Sequence, residues 1–572
     1  MPVFLLVGNI YCKDMVLKNS RGATAMLFAI TRRGLVIGIS SIFFILIVSS
    51  SYAESKSWIG PSDGFWNNPE NWEPLGQPVT NDAIYAELDT NDGMIINYFN
   101  PDAFSYSYVS IDNAGAGYTK LNIDYNHPLN INQINVGSRG QIIQNTGNVV
   151  STEVFVMNGY YEMNGGSLDH EYSYYSYTNG KFVQNGGVHN TAFKYYFKDH
   201  YIMNGGQLKT GKFYLRGVYE QHGGIAEISS YSGYDGDPGG TYKIYGGDIH
   251  VYDYLTSFEQ YGGRVYLNDF ISLSDVYALY DGEMESEFII NGTIIQNGGS
   301  HKGNEVFDYI LNDGYLETDY YKSMIQYGGE HVFKDYARNS DSHYELHGGT
   351  FRSLYDFFPG DFIIQGGTMD ISGKTIINTR SLSGYGIIQS SGIDNLGTIN
   401  LNDGQSIVTG EINNNPAKII SVSNAQVKFK DKVINHGAME IVGSEVAFEK
   451  GYEGYGKFES LSSSLVFNDL GIRNTGYLMA GEKDTYWVKG DFINNSSMNE
   501  DWNTAKAILC FLEGDDLEHD MYIAGIDYGA VHTGYENNFA WGKLMLTENN
   551  SILILDDGDE NNAAFYTGVL LG

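Results

Sequence analysis

Between residues 142 and 367 one short phrase recurs thirteen times: an apolar residue, any residue, Gln or Met/Leu/Ile, a polar or tyrosine residue, then Gly-Gly. Intact pairs begin at 165, 186, 205, 223, 246, 262, 298, 328, 348 and 366, while Thr146-Gly147, Asp281-Gly282 and Asp313-Gly314 keep the frame with one glycine replaced. The phrase returns about every 18 residues. A fixed short period means stacked supersecondary units, none of which buries its apolar face alone.

The columns of the phrase define the unit. Four residues before the first glycine stand only apolar or aromatic side chains, such as Ile142, Tyr161, Phe182, Tyr201, Tyr219 and Tyr242. Two residues later come Gln144, Met163, Gln184, Met203, Gln221 and Ile244, with freely varied residues between the two columns. Alternation with period two predicts a short strand, and glycine then turns the chain because it enters positive φ without steric cost. The expected fold is all-β, a right-handed parallel β-helix (solenoid) of roughly 18–20 residues per turn with amino- and carboxyl-terminal β caps. The six inward glutamines are expected to form an amide ladder of the cross-β kind. Seventy glycines, ten prolines and 46 tyrosines suit continuous sheet. If residues 131–480 all coil, roughly 17 turns stacked at about 4.8 Å make a rod on the order of 80 Å long.

The amino end reads as an address label. Arg32-Arg33 precede the uncharged run Leu35 to Val48, followed by Ser51-Tyr52-Ala53. This is the pattern of a secretory signal peptide cut after Ala53. No other apolar stretch reaches spanning length, so no transmembrane segment is expected in the mature chain. Removing residues 1–53 leaves 29 basic and 68 acidic residues, a net charge of −39. Such a surface repels nucleic acid and anionic membranes, and keeps an elongated protein soluble. Only Cys510 of the two cysteines remains, within the apolar run Ala507 to Leu512, as expected of a buried inert thiol.

Five regions follow from these patterns: a leader (1–53), an amino-terminal region with the first turns (54–130), the Gly-Gly solenoid (131–370), a continuation with Asn-x-Gly corners (371–485) and a carboxyl-terminal β region (486–572). The Asn-x-Gly phrases lie at Asn395, Asn435 and Asn474. Trp58-Ile-Gly-Pro-Ser-Asp-Gly64-Phe-Trp66-Asn-Asn-Pro69-Glu-Asn71-Trp72 opens the mature chain, and Tyr486 to Phe492, Gly525 to Gly529 and Asn538 to Leu544 close it. These segments, with the repeats, resemble the secreted bacterial β-helix surface proteins of the autotransporter-passenger and PEP-CTERM type. The resemblance implies a cap at the tryptophans and a surface or adhesin-like role, without assigning a reaction. A carbohydrate-binding face is the other reading of the tryptophans. The sequence departs from that family in showing no Pro-Glu-Pro sorting tail, sortase motif or translocator barrel, which points to a released protein or one held by a partner.

Catalytic signatures are not found. The mature chain has no His-Glu-x-x-His, and none of the Gly-His-Gly and Arg-x-Lys elements of polygalacturonase-like β-helices. Neither an enzyme activity nor a cofactor is therefore expected, calcium excepted. His343, Glu345 and His347 alternate along one strand and so share an outer face, where they are either solvated or zinc ligands. Asp235-Gly-Asp237 and Asp556-Asp-Gly-Asp559-Glu560 are acidic turns that calcium could use. Tyr245, Tyr261 and Tyr327 stand in the outward column before Gly-Gly, where flat rings suit sugars. The expected function is that of a secreted structural or adhesin-like surface protein. The alternative is a β-helix that binds or cleaves polysaccharide. The expected partners are an extracellular polysaccharide or a cell-surface protein, and not nucleic acid.

Overall fold

Each Gly-Gly phrase sits at a corner between two strands of one coil. In the computed structural model, residues 54–572 are described apart from 99–104, 171–174, 231–239, 256, 274, 291, 336–340, 515–516, 548 and 557–562. The leader and its cleavage point, Asp235-Gly-Asp237, and most of the 556–560 turn lie outside the described residues. Parallel coils stack into a β-solenoid of about 19 turns. Each coil contributes strands to three faces. The first face ends at the glycine corner, as in Tyr160–Met163; the second begins after it, as in Ser167–His170; the third follows, as in Tyr175–Thr178. Every one pairs in parallel with its counterpart in the next coil, so Tyr161 lies over Phe182, Leu168 over His189 and Tyr177 over Tyr196. Among the described residues, no helix is long and apolar enough to cross a membrane.

Register places like positions on top of one another, and the core is therefore built of stacks. On the first face Tyr161, Phe182 and Tyr201 lie with ring centroids 4.9 and 4.7 Å apart and planes within 17°. Phe258 and Tyr277 repeat the arrangement at 4.6 Å. All of these rings are buried, each contributing about 1.5–3 kcal/mol of apolar burial.

The second inward column corrects the expected glutamine ladder. Gln144, Gln184, Gln221, Gln260, Gln296 and Gln326 are all fully buried, but Met163, Met203, Ile244, Leu279 and Leu311 separate them. A ladder needs an amide in every coil, and here only every second coil has one. Each glutamine instead joins two coils. Nε2 of Gln184 donates to the carbonyls of Gly187 (3.2 Å) and, in the next coil, Gln207 (3.0 Å), while its Oε1 accepts from Tyr201 Oη at 2.6 Å. Gln144 with Tyr161, Gln260 with Tyr277, Gln296 with Tyr309 and Gln326 with Tyr344 repeat this bond. Gln221 is the variant, accepting from Tyr219 of its own coil at 3.1 Å. All four hydrogen-bonding capacities of a buried amide cannot be met by apolar neighbours, so a tyrosine hydroxyl beside each glutamine, in the next coil for all but Gln221, meets the need. Structurally the repeat is a pair of coils.

A true amide ladder does form, further along. Asn378, Asn395, Asn414 and Asn435 are fully buried at one corner, each Nδ2 donating to the next Oδ1 at 2.8, 2.7 and 2.6 Å. The last Nδ2 reaches Tyr452 Oη at 2.8 Å. Asn395 and Asn435 thus fill the corner role expected of the Asn-x-Gly phrase. Asn474 does not: it is exposed, with left-handed backbone (φ 55°), and turns the chain by itself.

Trp58, Trp66 and Trp72 are buried in an edge-to-face cluster with centroids 5.0 and 4.8 Å apart. Trp66 Nε1 donates to Tyr106 Oη and Trp72 Nε1 to the Trp66 carbonyl. Trp58 pairs antiparallel with Trp72 at this end of the stack, and burial of all three rings corrects the carbohydrate-face reading of the tryptophans, since no ring face is open to a sugar. At the other end, Ser551–Asp556 and Thr567–Leu571 continue the parallel stack. Leu553, Ile554, Val569, Leu570 and Leu571 are exposed there. Cys510 is buried, and burial pushes its thiol up to about 11, well above the range of a reactive thiolate.

Candidate functional site

Side chains just before the glycine corner point outward and, because the coils are in register, form one continuous column. Its first part is an amide ladder: Asn164 donates to Asn145, Asn185 to Asn164 and Asn204 to Asn185, at 2.8, 2.8 and 2.7 Å. It then becomes aromatic. His222, Tyr245, Tyr261 and Tyr280 stack at 4.8, 5.0 and 4.8 Å with planes within 8° of parallel. Asn297 and Asn312 return to the amide bond at 2.8 Å, and Tyr327 then stacks on His347 at 4.8 Å.

Of the three tyrosines singled out in the sequence, Tyr245 and Tyr261 therefore touch, whereas Tyr327 belongs to a separate stack. Tyr280, in the same column before Asp281-Gly282, joins the first stack, although the tyrosines singled out in the sequence precede only intact Gly-Gly pairs. Exposure of 42%, 38% and 45% at Tyr245, Tyr261 and Tyr280 comes from ring edges and hydroxyls, because the flat faces cover one another. A sugar meeting this column would meet hydroxyls and edges. Tyr261 donates to Glu259 at 3.0 Å, and that bond is the main reason its hydroxyl is pushed up to about 12.

His343, Glu345 and His347 share an outer face as the alternation requires. The two imidazoles clamp the carboxylate, each Nε2 lying 3.0 Å from a different oxygen of Glu345. Those bonds, led by the one from His343, hold the carboxyl below its usual range. Among the described residues no group of three or more His, Cys, Asp or Glu could hold a metal ion. One nitrogen of each imidazole, Nε2, is committed to the carboxylate.

Two depressions lie on the outside of the second face. One of 570 Å³ is edged by Asp169, Asn190, Lys209, Glu227 and Tyr252. The other, of 340 Å³, runs along Gln405, Gln426 and Glu445, with Ile407, Ala447 and Val466 beside them. Gln405 donates to Gln426 (2.9 Å) and Gln426 to Glu445 (3.2 Å), so a polar strip lies next to an apolar one.

One buried constellation was missed in the sequence. His189, His301 and His331 each follow a glutamine by five residues, in Gln-x-Gly-Gly-x-His phrases at 184, 296 and 326. Nδ1 of each lies 3.0 or 3.1 Å from the hydroxyl of Tyr201, Tyr309 or Tyr344, the same hydroxyl that donates to the glutamine. The tyrosine proton is spent on the amide, so Nδ1 carries the hydrogen and Nε2 is a bare lone pair. No protein-family model, curated protein or solved structure matches the chain.

Proposed function

We propose that this chain is a secreted structural or adhesin-like surface protein, working through repeated outward columns. The observation that carries the reading is the column before the glycine corners, where asparagine, histidine and tyrosine recur at each coil in contact with their neighbours. A solenoid multiplies one weak contact along its length, and linked weak contacts become avid. The strongly acidic composition supports an extended, soluble display. A second reading, polysaccharide binding, is favoured by the strip of Gln405, Gln426 and Glu445 beside Ile407 and Val466, which offers amides and apolar surface to one ligand.

The test is depletion of residues 54–572 from solution by a panel of insoluble polysaccharides and immobilised cell-surface fractions, with and without calcium, together with a product-release assay. Retention without product release is the expected result. Retention weakened several-fold by Y261A/Y280A would place the contact on the aromatic column, and retention weakened by Q426A would place it in the strip. Steady release of glycan product, abolished by changing a carboxylate pair, would overturn the scaffold reading.

A further inference from the structure

The three Gln-Tyr-His relays differ in what faces the bare Nε2. Ser286 Oγ lies 2.8 Å from His301 Nε2, and Thr318 Oγ1 lies 2.9 Å from His331 Nε2. In both, the hydroxyl stands in the preceding coil, two residues beyond the histidine's register partner: Met284 pairs with His301, and Leu316 with His331. Leu168 pairs with His189, so the equivalent place belongs to His170. An imidazole occupies the position of a hydroxyl donor.

The substitution leaves polar atoms over. Both ring nitrogens of His170, Nε2 of His189, and the hydroxyls of Thr191 and Thr210 have no hydrogen-bond partner in the protein, though all four residues are buried. They adjoin: His170 pairs with Thr191, Thr191 pairs with Thr210, and the two imidazoles lie with centroids 5.2 Å apart at 67°. Leaving five such atoms unmet would cost a large part of a protein's stability. A site with several polar walls is where a buried water is retained. A dication fits less well, since two neutral imidazoles and two hydroxyls supply no charge to offset it in a core.

We infer that the His170–His189 pair is a water-filled proton-uptake site inside the solenoid. With solvent between them, an added proton on His170 is shared with the lone pair of His189. At His301 and His331 the corresponding lone pair is already held by a hydroxyl. Of the groups packed around the pair, Phe155 and Phe182 are apolar and the titratable rings are Tyr195 and Tyr201, with Tyr161 behind Phe155. Burial raises all three hydroxyls, so they stay neutral. Asp169, Asn190, Lys209 and Glu227 alternate with buried residues along their strands, and they edge a depression whose lining also includes His170, Thr191 and Thr210, so the charges of Asp169, Lys209 and Glu227 are the nearest to the pair.

Hydrogen-exchange mass spectrometry of residues 54–572, stepped from neutral to acid pH and corrected for intrinsic exchange, tests the inference. Protection is expected to persist to lower pH in peptides from 148–215 than in 284–353, which holds the other two relays, because only the former binds the proton while folded. H170T, which copies Thr318, is expected to bring the two regions together. Simultaneous opening, the reverse order in the unaltered chain, or an order that H170T leaves unchanged would overturn the inference. So would protection at neutral pH that zinc raises or a chelator lowers, which would assign the site to a cation.

Discussion

Gly224→Ala is expected to unfold the coils around it, while Gly223→Asp, one residue away, is expected to be tolerated. Gly224 has φ 82°, and a methyl group there would stand 2.5 Å from the carbonyl oxygen of Gly206 in the coil before. The left-handed backbone alone costs an alanine about 1–2 kcal/mol, and the carbonyl cannot move without breaking its bond from Ile225 N. Gly223 is under no such φ constraint. The repeat itself records the difference. Where a glycine is replaced, by Thr146, Asp281 or Asp313, it is always the first of the pair. Asp281 and Asp313 even accept from the following glycine N–H at 2.8 Å. A Cβ at Gly223 would stand 2.8 Å from the Asn204 carbonyl oxygen, so Gly223→Asp needs a small shift of the coil before and should cost about 1 kcal/mol, still less than Gly224→Ala because its φ is ordinary. Urea unfolding followed by tyrosine fluorescence measures both.

Acid is expected to destabilise the solenoid steeply. Burial pushes His301 and His331, whose nitrogens are already satisfied inside the protein, down to about 3. An unfolded chain titrates its histidines near 6.5. Below that value the unfolded state binds protons that the folded state refuses, so stability falls as pH drops from about 6.5 towards about 3, and is unaffected by these groups above 6.5. Each of these two histidines contributes roughly 1.4 kcal/mol per pH unit within that window, or about 3 kcal/mol per unit together, and the His170–His189 pair adds less because it takes up a proton while folded. The urea midpoint at pH 7.5, 6.5 and 5.5 gives the slope, and a flat profile would mean that His301 and His331 are charged or solvated in the folded protein.

Much of this architecture was legible before any coordinates. Alternation either side of Gly-Gly placed the strands and the corner, and the burial of Tyr161, Phe182 and Tyr201 follows from it. Pairing of coils was equally present, since Met or an aliphatic residue stands at 163, 203, 244, 279, 311 and 346, between the glutamines. It was obscured by treating the column as a single class of inward residue. The asparagine ladder was half visible: Asn395 and Asn435 carry the Asn-x-Gly phrase, but Asn378 and Asn414 lack the glycine and complete the ladder through register alone. The aromatic column could not be read correctly from spacing. Whether stacked rings show faces or edges depends on their tilt, which register and neighbouring side chains decide.

The most direct test of the account's central claim, that coils are built in pairs, is a comparison of two deletions by thermal unfolding. Removing residues 257–275 takes out the coil of Gln260, setting Tyr242-Ile244 against Tyr277-Leu279 and stripping Tyr277 of its amide. Removing 257–292 takes out that coil and the next, so that Tyr242-Ile244 meets Ile294-Gln296 and the alternation survives. The larger deletion is predicted to melt close to the parent and the smaller one well below it. Equal melting, or a more stable single-coil deletion, would contradict the claim.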